Sequence, residues 1–456
     1  MPLATFTAIV EVDIFSLYFF MTYRQRPAEQ PFFIRATQVD HDKSFTHLDI
    51  GSMSWWQSVK DKGTPLLFER NDGDYDVFFI VKLSHFGPQL SEIYIQVNGI
   101  TDHHKVDLDQ FIFIRDCDLA YFHCVIPPKW LGSYTFYPQQ QTREKPTSND
   151  LTQLMPWLKQ VFSDPHADNF NHSSLSACPW GQKRSPLAMP CAPVQLYWQA
   201  LDSNVDAISQ SPAIEPYLWH CKRLNNQRRV WFYTPAVTST ATMPIVLLQD
   251  GHFWAEEMPI WAVIDDLTGR GELAPAHYVL IDSIDTYHRS RDLPCNEHYW
   301  HAIFDELLPE LERYYQCELI NQPFITAGQS FGGLSSLYAA LLYPDKVVAV
   351  LSQSGSFWWP DRKQVHQQGS QINSKHYLVE QIEKYSLPSS LLCHLDIGSL
   401  EGNMPALTQT VHAALLAKGV RSHYRQYLGG HEWLCWRECL IAGLVDVLKP
   451  YRFNLS

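Results

Sequence analysis

The run Pro323-Phe-Ile-Thr-Ala-Gly-Gln-Ser-Phe-Gly-Gly-Leu-Ser-Ser-Leu-Tyr-Ala-Ala-Leu341 decides the fold. A short apolar strand ends at Ala327, Gly328-Gln-Ser330-Phe-Gly332 makes a sharp turn, and an amphipathic helix begins at once. Such a turn forces the serine into a strained backbone conformation and lifts its hydroxyl above the sheet. Gly328 and Gly332 suit it because the strand and helix backbones approach too closely for a Cβ. The strand before and the helix after make this reading far more specific than the bare Gly-x-Ser-x-Gly pattern. Ser330 is the candidate nucleophile, and a glycine-rich turn with a solvated serine is the plain alternative.

Around this turn, strands alternate with helices, which implies parallel βαβ units and an α/β fold. Candidate strands are 229–234, 245–248, 278–281, 324–327, 347–351, 391–397 and 424–427; candidate helices are 299–315, 333–343, 404–418 and 433–448. Upstream the pattern differs. Asp74-Tyr-Asp-Val-Phe-Phe-Ile-Val-Lys82, Ile93-Tyr-Ile-Gln-Val-Asn98, Gln110-Phe-Ile-Phe-Ile114, Leu119-Ala-Tyr-Phe-His-Cys-Val125 and Gly132-Ser-Tyr-Thr-Phe-Tyr137 are β-branched and aromatic runs. Turn signals such as Asn98-Gly99 separate them, at a spacing that suits an immunoglobulin-like β-sandwich. A helix is expected over 149–162. The chain thus divides into a sandwich over 1–162 with a possible extension at 1–20, a Pro- and Ser-rich linker over 163–216, and an α/β-hydrolase domain over 217–456.

Length agrees with two domains, since 456 residues exceed what one core usually organises. Hydrophobic residues make up 45% and aromatics 13%, enough for large cores. A formal charge of −13 excludes general nucleic-acid binding, which needs a basic stripe. An anionic substrate would need local arginines to overcome that field. Ten scattered cysteines without a Cys-x-x-Cys pair read as reduced thiols. The apolar first twenty residues are interrupted by Glu11 and Asp13, and no Lys or Arg precedes Arg24, unlike a secretory signal. Met21 is an alternative start. No apolar stretch approaches membrane-spanning length, so a cytoplasmic protein is expected.

A serine hydroxyl attacks only when a base takes its proton, and a third group holds that base. On an α/β-hydrolase sheet the chain order is serine, acid, histidine, each partner on a loop after a strand. Two segments fit. Leu391-Leu-Cys-His-Leu-Asp-Ile-Gly-Ser-Leu-Glu401 offers Asp396 within the strand and Glu401 beyond its end, and Glu401 is preferred for that reason. Arg425-Gln-Tyr-Leu-Gly-Gly-His431 places His431 after two glycines that let it bend back over the sheet. The oxyanion hole needs two amide N–H groups. One is assigned to Phe331, directly after the nucleophile, and the other to the backbone of His252 in Gln249-Asp-Gly-His-Phe-Trp254. A metal site at Asp102-His103-His104 is not expected, because adjacent histidines cannot easily face one ion.

Several of these stretches resemble the enterobactin (enterochelin) esterases. They are Leu248-Gln-Asp-Gly-His-Phe-Trp254, Tyr278-Val-Leu-Ile-Asp-Ser-Ile-Asp-Thr-Tyr-His-Arg289, Ala327-Gly-Gln-Ser-Phe-Gly-Gly-Leu334, Ser352-Gln-Ser-Gly-Ser-Phe-Trp-Trp359 and Gly429-Gly-His-Glu-Trp-Leu-Cys-Trp-Arg437. The likeness extends to Gly51-Ser-Met-Ser-Trp-Trp56, Gly99-Ile-Thr-Asp-His-His104 and Arg223-Leu-Asn-Asn-Gln-Arg-Arg-Val-Trp231, and departs at the first twenty residues and at Asp164-Pro-His-Ala-Asp168. The resemblance implies a cytoplasmic serine esterase that opens the triserine lactone of a ferric catecholate siderophore, with nucleophile, base and acid falling on Ser330, His431 and Glu401. Iron would arrive inside the substrate, so no cofactor is expected, and a monomer is favoured. A triply anionic, flat-sided catecholate calls for arginines and aromatic rings together. The candidates are Arg289 and Arg291 with Trp254, Phe357, Trp358 and Trp359. A carboxylesterase or acyltransferase of the same fold is the alternative enzyme. A ligand-sensing sandwich beside an inactive hydrolase is the non-enzyme alternative.

Overall fold

The structure is a computed structural model that describes residues 50–175, 183–203, 214–236, 243–361 and 376–452. The possible extension at 1–20 and Met21 lie outside the described residues. No helix among the described residues is long and apolar enough to cross a membrane.

Among the described residues, the first half holds seven strands, β1 (Leu66–Glu69), β2 (Tyr75–Lys82), β3 (Glu92–Val97), β4 (Ile112–Ile114), β5 (Leu119–Ile126), β6 (Leu131–Gln139) and β7 (Ser185–Ala188). They form an antiparallel four-stranded sheet in the order β1-β2-β5-β4 and a three-stranded sheet in the order β3-β6-β7. Side chains alternate across a strand, so Val77, Phe79 and Val81 of β2 meet Ile93, Ile95 and Val97 of β3 in the core between the sheets. The residues between them, Phe78 and Ile80, face outward and would be exposed in an open sandwich. Here the helix Met53–Lys62 covers them with Trp55, Trp56 and Val59. The helix Leu151–Val161 covers Tyr94 and Tyr137 on the opposite outer face. Both faces of each sheet are thus packed, which explains the unbroken apolar runs read from the sequence. The stretch 163–216, expected to be linker, contributes β7, whose residues pair with β6 from Leu131 to Tyr134. Buried Asp168 from the same stretch accepts hydrogen bonds from Thr64 and Tyr134.

The second half is an eight-stranded sheet in the order β15-β14-β13-β12-β10-β11-β9-β8. Its strands are β8 (Tyr217–Cys221), β9 (Asn226–Tyr233), β10 (Ile245–Gln249), β11 (His277–Ile281), β12 (Phe324–Gln329), β13 (Val347–Gln353), β14 (Leu392–Gly398) and β15 (Arg421–Tyr427). β10 to β15 run parallel, and the hairpin β8–β9 joins antiparallel beside β11. Alternation again decides the packing. Ile245 and Leu247 face one layer of helices, with Trp300, Leu311, Leu334 and Val411. Val246 and Leu248 face the other layer, with Val263, Leu267, Leu434 and Leu444. The helix expected over 299–315 is interrupted by a wider turn at Ile303–Leu307. Pro309 begins the next stretch and has no N–H to return to residue 305. The strand order reverses beside β10, whose neighbours are β11 and β12. In an open α/β sheet the crevice above such a reversal is where ligands gather.

Candidate active site

β12 ends in the turn that carries Ser330, with φ 59° and ψ −119°. A positive φ in a residue with a Cβ costs on the order of 1–3 kcal/mol, and the surroundings must impose it. They do so by close packing. A Cβ on Gly328 would stand 2.7 Å from the carbonyl carbon of Gly332, and one on Gly332 would stand 3.0 Å from Cβ of Gln249. The Ser330 N–H donates to Gln353 O on β13 at 2.8 Å, and its carbonyl accepts from the N–H groups of Leu334 and Ser356 at 3.1 and 3.0 Å. Ser330 Oγ lies 3.2 Å from Ser356 Oγ, with only 1% of the residue exposed. The next residue, Phe331, opens the helix Phe331–Leu342, and the first N–H groups of a helix have no partner within it.

The loop after β10 is built around Asp250, which is buried and has φ 56°. Burial pushes its carboxyl up, but the Arg289 charge and the hydrogen bonds it accepts hold it below the usual carboxylate range. Arg289 grips both its oxygens at 2.8 Å, Gln329 Nε2 donates to it at 3.0 Å, and Ser283 donates as well. Asp250 therefore ties the β10 loop to β11 and to the serine turn. His252 follows, its Nδ1 3.0 Å from Asp282 Oδ1. Burial opposes ionisation of Asp282, yet His252, the Ile284 N–H and Arg229 together hold it at about 2.

Beyond β14, Glu401 is fully buried. Its Oε1 accepts from Ser354 Oγ at 2.6 Å, the Gly398 N–H at 2.8 Å and Tyr427 OH at 3.2 Å. Its Oε2 lies 2.6 Å from Nδ1 of His431. That contact makes Nδ1 the protonated nitrogen and leaves the lone pair on Nε2. Burial and the Glu401 charge push the Tyr427 hydroxyl far up, so it stays a donor. Trp436 stands edge-on to the His431 ring at 4.5 Å and donates to Ser354 Oγ at 2.9 Å. Asp396, the other candidate acid, accepts from Arg425 Nε at 2.6 Å. Its partner is thus an arginine on β15, and Glu401 is the carboxylate beside His431. Ser330 and His431 reach the same sheet edge through adjoining residues, Ser330 bonded to Gln353 and Ser354 bonded to Glu401.

A family model described as enterochelin esterase, N-terminal, matches residues 85–198, and one described as putative esterase matches residues 221–447. An iron(III) enterobactin esterase of Escherichia coli is 36% identical over 415 residues, covering 89% of this chain and 98% of the relative. The chain belongs to the iron(III) enterobactin esterase family. It is accordingly a carboxylic ester hydrolase. An iron(III) enterobactin esterase of Dickeya dadantii is 33% identical, covering 91% of this chain and 96% of its own. A crystal structure of an enterobactin esterase from Shigella flexneri in the presence of enterobactin has a TM-score of 0.72 and 32% identity, covering 88% of this chain and 100% of that one.

Within this esterase the expected recognition residues fall in different surroundings. Trp254 is 0% exposed, donates to Gln329 and packs edge-on against Trp433, so it has no face for a ligand. Phe357 is buried in the core beneath Gly355. The sequence showed both as aromatics near the sheet edge, and tertiary packing used them internally. Arg289 is committed to Asp250 and Gln329 O, with its guanidinium 5.6 Å from the Phe331 ring. It braces the serine turn through Nε and Nη2. Trp358 lies against the Phe331 ring at 5.5 Å, and Trp359 stands edge-on to Tyr377. Arg291 keeps 39% side-chain exposure while bonding to Asp292, and lies 5.7 Å from the Tyr287 ring. Tyr287 is 61% exposed and was not singled out from the sequence. Its place one helical turn before an arginine was the available signal.

Proposed function

We propose that this esterase hydrolyses the triserine lactone of ferric enterobactin, or of a closely similar ferric catecholate siderophore, and so frees the iron. The observation that carries the reading is the buried Glu401–His431 contact at the sheet edge where the strained Ser330 turn stands. In the proposed reaction Ser330 Oγ turns from Ser356 and attacks a lactone carbonyl while His431 Nε2 takes its proton. Glu401 holds the imidazole and stabilises the imidazolium that forms. The N–H groups of Phe331 and His252 receive the oxyanion. His431 returns the proton to the departing serine alkoxide, and water then hydrolyses the acyl-enzyme by the same steps. Arg291 beside Tyr287 is the pair offered to the anionic catecholate face. Action in the cytoplasm is part of the proposal, supported by nine described cysteines that form no disulfide.

The test is incubation with iron-loaded enterobactin and chromatography of dihydroxybenzoyl-serine fragments. Wild type is expected to produce them, and Ser330→Ala to bind the ferric siderophore without cutting it. Absence of fragments from wild type would remove the substrate assignment. Undiminished turnover by Ser330→Ala would remove the nucleophile.

A further inference from the structure

We infer that the N-terminal sandwich sets the position of the general base, and that Asn98 is the residue through which it does so. The inference rests on the proposed triad and adds a positioning residue from the other half of the chain.

His431 sits in the loop between β15 and the helix Trp433–Val447, preceded by two glycines. Glycines leave a loop backbone free to adopt many conformations. Within the hydrolase half the contact with Glu401 holds one atom of the ring, and the loop's main chain is tied at Gly429 O to the Leu400 N–H at 3.0 Å and at Gly430 O to Tyr427 OH at 3.4 Å. The sandwich supplies contacts on both sides of it. Leu131 N–H donates to Leu428 O at 3.3 Å. Asn98 Nδ2 donates to the carbonyl of His431 itself at 3.1 Å, and both groups are buried. Ser133 donates to Glu432 Oε2 through Oγ at 2.7 Å and through N at 3.2 Å. Leu400 and Leu428, which flank the acid and base loops, pack into the sandwich core with Val97 and Trp130.

The approach is backbone on backbone. A Cβ on Gly430 would fall 2.1 Å from Asn98 Oδ1 and 2.9 Å from the Gly99 nitrogen. Asn98 is itself anchored, because its N–H donates to Ser133 O at 3.0 Å at the end of the β3–β6 ladder. A side chain carried on a paired strand end holds its partner more rigidly than one on a free loop. Among the described residues, the serine turn is held from its own half. Its partners Gln249, Asp250, Arg289 and Gln353 all belong to the hydrolase half. Loosening the sandwich should therefore shift the base and leave the nucleophile in place.

The experiment is a double-mutant cycle in the full-length enzyme with p-nitrophenyl butyrate, an ester without catecholate groups. Asn98→Ala is expected to lower kcat about tenfold with KM little changed, because small misplacement of a catalytic group is costly. Asn98→Asp keeps the shape and loses the donor, so it is expected to fall as far. In a His431→Ala background, Asn98→Ala is expected to cost nothing further, since its effect passes through His431. Should Asn98→Ala fold poorly, Ser133→Ala keeps one of the two bonds to Glu432. It is expected to lower kcat about threefold, again only when His431 is present. Equal factors in both backgrounds would overturn the inference and leave the triad standing. Full activity of His431→Ala would overturn both.

Discussion

The serine turn and the histidine loop meet at one sheet edge but are built differently. Ser330 is held by residues of its own sheet, through glycines packed on neighbouring backbone and the Asp250–Arg289 brace. His431 is held by Glu401 on one side and on the other by a sandwich whose contact residue lies 333 positions away. The candidate nucleophile is thus a local construction, and the candidate base is held from both halves of the chain. A substitution that loosens the contact between the halves should affect proton transfer before it affects the nucleophile.

Six substitutions test that contrast, from the largest expected effect downward. Ser330→Ala should lower kcat by at least about ten-thousandfold while thermal unfolding stays near wild type. Retained turnover would mean that the local construction is not the reacting one. Glu401→Gln should lower kcat by roughly a hundredfold to ten-thousandfold, since the amide no longer holds the protonated Nδ1. Asp396→Asn, which loses only the contact with Arg425, should act mainly on stability. The reverse ranking in steady-state kinetics would exchange the two carboxylates.

Gly328→Ala places a methyl against Gly332 backbone, which cannot yield, and should lower stability by about 3 kcal/mol or more in urea unfolding. Gly430→Ala first meets the tip of the Asn98 side chain. It should lower kcat by about a hundredfold, because it pushes the loop off the Asn98 contact. An unchanged kcat would make the histidine loop independent of the sandwich.

The smallest effect concerns Asp282, which steadies His252 from within the hydrolase half. Its folded value of about 2 lies below the ordinary 3.8. Its contribution is therefore present above pH 4 and is lost as pH falls from 4 toward 2. Asp282→Asn should cost about 2 kcal/mol at pH 7 and progressively less at pH 3. A cost independent of pH would point to packing in place of charge.

The α/β class and the strand–turn–helix at Ser330 were legible because their signals are local: apolar runs, alternation and two glycines four residues apart. The placement of Glu401 and His431 on loops after strands was legible because chain order narrows the choice on this fold. The hairpin strand β8 was missed, since Tyr217–Cys221 adjoins a stretch read as linker. The helix Trp261–Gly269 was missed because an element buried on most sides has little polar alternation. Trp254 and Phe357 were assigned to the ligand because an aromatic near a sheet edge reads the same whether it faces core or crevice.

The sequence by itself determined that a serine stands on a strained turn after a central strand, with an acid and a histidine on later loops of the same sheet. These are consequences of backbone sterics and period. Only the tertiary structure decided that Arg289 serves Asp250, that Arg425 takes Asp396 and so separates it from His431, and that Asn98 reaches the carbonyl of His431. Charge pairing and burial depend on distances between residues remote in the chain, and spacing along the sequence carries no measure of those distances.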